Sequence, residues 1–208
     1  NSGAPLRSRG WIKAAAHFAE IGLVAMVRSS AEARLAMAAR PYCAYVKIVT
    51  DPLSKHDQLI RRTWALARLV PFYYEEFFSL TLKRAVKKAL EEWTPDLVQA
   101  EWIGSVRYLD SALHRSIPTL YSAHNLEHLV IAGPPKGRRR IMAYPFARNM
   151  ARLERGWAAR VTAVSALSQK ETDWFKPFNP NSYHIPNAVS AAEYPFRPPS
   201  SRKDGPVG

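Results

Sequence analysis

Leu23-Val-Ala-Met-Val27 is an unbroken apolar run of strand length. Alternation of apolar and polar residues would mark a strand with one wet face, so a continuous run predicts a strand covered on both faces, as in a parallel sheet. Upstream, Leu6, Trp11, Ala14, Ala15, Phe18 and Ala19 recur at helical spacing with Arg7, Arg9, Lys13 and His17 between them. This predicts an amphipathic helix over residues 5–20, closed by Gly22. Downstream, a helix is predicted near residues 31–39 and a second strand near 42–49.

The alternation continues to the end of the folded region. A helical stretch over 54–93, interrupted at Pro71, leads to a strand at 96–100 and a helix at 103–114. Strands at 118–123 and 160–164 flank a helix at 143–159, and a last pair follows, helix 166–175 and strand 182–185. Parallel strands need crossover helices, so this order is the sequence form of a doubly wound α/β domain with a parallel sheet. No internal repeat is visible. After Ile185 the composition turns to Pro186, Pro195, Pro198, Pro199, Ser200 and Ser201, which is linker chemistry. Residues 1–186 are therefore expected as one domain and 187–208 as a linker. The chain opens on a Ser-Gly loop leading straight into a helix, so the expected sheet lacks its first strand.

Composition narrows the function classes. At 208 residues and 47% apolar content the chain can bury a sizeable core. Its longest apolar runs, near residues 21–27 and 69–74, fall well short of the ~20 residues of a membrane span. The N-terminus lacks a secretory pattern, so a cytoplasmic protein is expected. A lone Cys43 excludes an internal disulfide and is expected as a buried, inert thiol. The net charge of +13 is local: residues 61–88 hold seven basic and two acidic residues, and 136–160 hold eight and one. Concentrated charge implies an anionic partner.

The chemistry sits where strands end in polar residues: Asp96-Leu-Val-Gln-Ala-Glu101, Pro118-Thr-Leu-Tyr-Ser-Ala-His-Asn-Leu-Glu127, Ala159-Arg-Val-Thr-Ala-Val-Ser165 and His184-Ile-Pro-Asn-Ala-Val-Ser190. Ligands of open α/β sheets bind outside the carboxyl ends of the strands. Glu101, His124, Asn125, Glu127 and Ser165 are thus expected along one edge.

On these residues the chain resembles the N-terminal domain of glycosyltransferase family 4, the retaining GT-B enzymes, and more narrowly the sugar transferases with a His-Asn-x-Glu segment. The pattern runs from a Ser-Gly loop and a following Arg (Ser2, Gly3, Arg7) through the strand ending in His124 and the Val164-Ser165 strand end. It finishes at Ile185-Pro-Asn-Ala-Val-Ser190, where Ala188 and Ser190 stand in place of the family's usual Gly and Asp. The resemblance implies a Rossmann-like acceptor-side half of a GT-B fold, with a C-terminal donor-binding domain following Gly208. It implies transfer of a sugar from a nucleotide-sugar donor to a glycan or lipid-linked acceptor, without a cofactor or metal, and a silent chain when that domain is absent. His124 is implied as the catalytic residue, with Gly3, Arg7, Glu101, Asn125 and Glu127 binding substrate. Gly3 would let backbone amides approach the diphosphate at a helix N-terminus. Asn125 and Glu127 would shape the loop or meet the acceptor.

Plainer readings compete at each position. His124 could be a core histidine satisfied by its neighbours, and Arg7 a solvated arginine on a helix face. Ser165 could cap the helix at 166–175, a role worth ~1 kcal/mol. His124-Asn-Leu-Glu127-His128 fits the H-x-x-E-H pattern of zinc hydrolases, which needs both histidines on one helical face; a strand ending at His124 argues against it. Pro71-Phe-Tyr-Tyr-Glu-Glu-Phe-Phe78, followed by Lys83, Arg84, Lys87 and Lys88, reads either as core packing beside solvated lysines or as a surface for peripheral contact with an anionic membrane. No helix-turn-helix, zinc-finger, RNP or KH signature points to specific nucleic-acid recognition. A noncatalytic basic module that docks to membrane or nucleic acid is the alternative from another class.

Overall fold

The computed structural model describes residues 3–133 and 138–187. The remainder of the linker expectation, with Ala188 and Ser190, lies outside the described residues, as does Ser2.

Helix α1 spans Gly3–Ala15 and leads through a turn to strand β1, Gly22–Val27. Helix α2, Ser30–Met37, starts from the Ser29 cap, whose side chain accepts from the Glu32 amide. Strand β2, Tyr45–Thr50, runs parallel to β1, with Gly22 opposite Tyr45 and Val27 opposite Thr50. It begins later than residue 42 because Pro41 sits in a 3-10 turn, Arg40–Tyr42.

The long helical stretch breaks twice. Helix α3, Lys55–Ala67, opens on a capping box between Ser54 and Asp57. Leu69 at φ 50 and Pro71 separate it from α4, Phe72–Glu76. A second break precedes α5, Leu80–Glu92, where the Ser79 hydroxyl accepts from the Leu82 amide. Sequence periodicity missed this break because apolar residues continue across it. The Ser79 amide donates to the Tyr108 hydroxyl, which donates to the Phe77 carbonyl, both at 2.7 Å.

Strand β3 is Val98–Glu101. The helix expected over 103–114 is instead a 3-10 turn, Val106–Leu109, followed by the short α6, Asp110–Leu113. Strand β4, Thr119–Ser122, leads to α7, Glu127–Ala132, an element too short for periodicity to show. Helix α8, Arg138–Arg160, carries Pro145 in its interior. Strand β5, Ala163–Ala166, helix α9, Gln169–Phe175, and strand β6, Ser182–His184, complete the described chain.

Every described strand pair is parallel, as the apolar run at Leu23–Val27 predicted. The strands form two sheets, β1-β2 and β3-β4-β5-β6, instead of one continuous sheet. The main core lies between the four-stranded sheet and its helices: Tyr121, Val164, Met150, Trp157, Ala158 and Phe175 are buried together. A second cluster, Val49, Leu82 and Tyr108, joins β2 to α5.

Two expectations fail here. Ser165 does not cap a helix: it lies inside β5, and α9 is capped by Ser168 in a box with Glu171. The S-x-x-E signature at Ser168 is the sequence signal for that start, and Ser165 lacks it. Cys43 is half-exposed instead of buried, and partial burial pushes its thiol pKa up, disfavouring the reactive thiolate.

Candidate functional site

The register of the four-stranded sheet aligns the strand ends. Glu101 of β3 lies opposite Ser122 of β4, which lies opposite Ser165 of β5. The Ser122 and Ser165 hydroxyls are buried and have no protein partner. The chain leaves β3 at Trp102, which adopts φ 70, a left-handed conformation that is costly for a bulky residue. His124 follows β4 by two residues and is buried.

These elements bring His124 and Glu101 together. The imidazole Nε2 lies 2.7 Å from Oε2 of Glu101. An ionised carboxylate only accepts, so Nε2 carries the proton and Nδ1 is the ring nitrogen left for another partner. Ser8 of α1 donates to the same Oε2 at 3.3 Å, and Gln99 donates to Oε1. Burial alone would raise the Glu101 pKa. Hydrogen bonds from His124 and Gln99, with the charge of Arg7, outweigh it and hold the carboxyl below its usual value.

Arg7 is the third member. It is only 7% exposed, so it is no solvated helix-face residue. Its Nη1 donates to the Ile185 carbonyl at 3.2 Å and to Oδ1 of Asn187 at 2.9 Å. Its Nε and Nη2 are buried without a protein partner. Burial lowers the Arg7 pKa, opposed by the charges of Glu101 and Glu171, but an arginine stays protonated in a protein. A buried guanidinium with two unpaired donor nitrogens is a ready anion or hydroxyl donor site, since leaving such groups unpaired costs free energy.

The other expected residues separate from this group. Gly3 is the first residue of α1, four positions before Arg7. Asn125 is exposed in the loop between His124 and Leu126. Glu127 turns inward, 6% exposed, and both of its oxygens are occupied: Tyr73 donates at 2.9 Å and the Trp102 indole at 2.7 Å. These two hydrogen bonds tie Glu127 to α4 and to the Trp102 turn, which shapes the loop after His124. Burial of Tyr73, followed by the charge and hydrogen bond of Glu127, drives its phenol pKa far up, keeping it a donor.

Sequence reasoning missed the residue that anchors this loop. Glu154 of α8 is fully buried; its Oε1 accepts from the Glu127 amide at 2.7 Å and its Oε2 from Nδ1 of His128 at 2.6 Å. The His128 ring also stacks on Trp174, with centroids 4.7 Å apart. His124 and His128 thus serve different carboxylates, and they do not form the paired ligands of a zinc hydrolase. Ser8 and Gln99 were also missed, because nothing in their side chains distinguishes them from surface polar residues, and Asn187 was quoted only as part of the Ile185-Pro-Asn segment, with no contact to Arg7 expected.

The aromatic run at residues 71–78 packs mostly inward, with Tyr74 and Glu75 buried and Phe77 partly exposed. Lys83, Arg84, Lys87 and Lys88 are exposed on α5, as the core-packing reading requires. No helix among the described residues is long and apolar enough to cross a membrane.

A parallel-stranded α/β domain with His, Glu and Arg gathered at its strand ends fits the family that the sequence resembles. The model of Glycosyltransferase Family 4 matches residues 34–193. The chain belongs to glycosyltransferase family 4. The matched segment includes Glu101, His124, Asn125 and Glu127, whereas Gly3 and Arg7 precede it, so Arg7 joins the site on geometry. No curated protein matches the chain.

Proposed function

We propose that this chain provides the acceptor-side half of a glycosyltransferase that moves a sugar from a nucleotide-sugar donor to an acceptor, a lipid-linked glycan or a cell-surface polysaccharide precursor. The observation that carries the reading is the Glu101–His124 pair beside the unpartnered N–H groups of Arg7. Glycosyl transfer from a nucleotide builds positive charge on the anomeric carbon and negative charge on the departing diphosphate. Fixed donors and cations therefore supply most of the stabilisation.

In this reading Glu101 fixes the His124 tautomer, and Nδ1 meets a sugar hydroxyl at the reacting centre. Arg7 offers Nε and Nη2 to an oxygen of the donor or the acceptor. The positive charge comes from Arg7 and from the N-terminal end of α1, which begins at Gly3, so no metal is invoked. Asn125, exposed beside His124, meets the acceptor in this reading. The 208 residues alone are proposed to be silent, with the donor held by a second domain. The enzyme would work at the cytoplasmic face of a membrane as a peripheral protein, without specific nucleic-acid binding.

The test is turnover of nucleotide sugars by the two-domain enzyme with His124→Ala. A fall of about 10²-fold or more with the fold retained supports the reading. Turnover close to that of the unsubstituted enzyme overturns it.

A further inference from the structure

Away from the strand ends, a cavity of about 440 Å³ opens between the end of α3, α4, the 3-10 turn at Val106–Leu109 and α8. Arg68, Arg107 and Arg152 line it together with Asn149, Tyr74 and Glu75. Three arginines and one glutamate are thus part of its lining. Glu75 is buried and spaces two of them, 3.3 Å from Arg68 and 3.4 Å from Arg107. Arg107 is further fixed against the Tyr74 ring at 4.0 Å from its centroid. Arg152 donates to Asn149 at 3.1 Å, and Asn149 donates to the Arg68 carbonyl at 3.0 Å, which ties α8 to the end of α3. The result is a preorganised basin with an excess of two positive charges, the complement of a phosphate dianion.

The helices that border the basin carry apolar side chains in solvent. On α3 and its C-terminal turn, Trp64 is 58% exposed, Leu66 64% and Leu69 40%; on α8, Ile141 is 76% and Met142 73% exposed. Arg68 lies over the Trp64 ring at 5.9 Å, so the charge and this exposed ring are contiguous. Large apolar side chains beside a cationic pocket suit a molecule with a phosphate head and a hydrocarbon body. Nucleic acid would supply the phosphate, but flexible aliphatic Ile141 and Met142 suit acyl or prenyl chains better than stacked bases.

We propose that this basin binds the phosphate head of an anionic amphiphile, whose apolar chain lies along α3 and the first half of α8. It relocates the membrane contact from the aromatic run at residues 71–78 to helices α3 and α8. The binding does not depend on the transfer reaction, so its failure would leave the transferase reading standing.

The experiment is calorimetric titration of the 208-residue chain with inorganic phosphate and, separately, with a short-chain phosphatidic acid below its micelle concentration. Arg68→Gln and Arg152→Gln alter exposed side chains, and circular dichroism checks that each variant folds. The lipid phosphate should bind, and each substitution should weaken it about tenfold. Trp64→Ser should weaken the lipid and leave inorganic phosphate unchanged. Equal binding of both ligands with no effect of Trp64→Ser assigns the basin to free phosphate and overturns the lipid proposal. Absence of binding by either ligand, or arginine variants that bind like the parent chain, overturns the site. A single-stranded oligonucleotide that outcompetes the lipid through the same arginines overturns the choice of partner.

Discussion

Nε2 of His124 lies 2.7 Å from a carboxylate oxygen of Glu101, across the ends of two adjacent parallel strands. Strand register places Glu101 opposite Ser122, and the chain reaches His124 two residues later. The pair is therefore built by the sheet, with loop geometry adding little freedom.

The ionisation of Glu101 gives a pH prediction. Its folded pKa lies below the usual 4.5, because hydrogen bonds from His124 and Gln99 and the charge of Arg7 outweigh burial. A group with a depressed folded pKa adds stability that is fully present above its unfolded pKa and is lost as pH falls through the folded one. The difference in unfolding midpoint between the parent chain and Glu101→Gln should be constant from neutral pH down to about 4.5 and shrink below it. A difference that stays constant as the pH falls well below 4.5 would contradict the assignment.

Gly104 makes room for the left-handed Trp102. A Cβ at Gly104 would overlap the Trp102 ring, which the Glu127 carboxylate holds and which packs on Tyr73 and Phe77 at 5.5 and 5.1 Å. Gly104→Ala should cost about 1–3 kcal/mol, the range of an overpacked core. A lowered thermal midpoint with a changed tryptophan fluorescence spectrum is the expected outcome; an unaltered midpoint would show that the ring moves freely.

Glu154→Ala removes the acceptor for the Glu127 amide and for His128 at a site with no exposure. Leaving a buried amide and an imidazole without their acceptor costs about 1–3 kcal/mol. Urea unfolding should show that loss, and Glu154→Gln, which keeps an oxygen for the amide, should recover part of it. Equal losses for both variants would contradict the hydrogen-bonded role assigned to Glu154.

Much of the fold was legible in the chain itself. The run at Leu23–Val27 and the alternating helix and strand pattern called for parallel strands, and β1, β2 and the four later strands follow it. The short α7 was hidden, because six residues hold too few turns to show a period, and the helix expected over 103–114 proved to be a 3-10 turn and the four-residue α6. The site was legible only where chemistry coincided with a strand end. His124 and Glu101 were visible in that way, whereas Arg7 gained its place from contacts with Ile185 and Asn187 almost the whole chain away. Glu154 sits in the middle of a long basic helix, where a lone acidic residue reads as a solvated one.

The central claim is that Glu101 and His124 act as one reacting unit in sugar transfer. A double-mutant cycle on sugar-transfer turnover by the full-length protein tests it directly, using His124→Ala, Glu101→Gln and both together. Groups that act as a unit are strongly non-additive. Each single substitution should lower turnover by about 10²-fold or more, and the double should fall little further than the worse single. Single variants within about twofold of the parent enzyme, or losses that multiply in the double, would contradict the account.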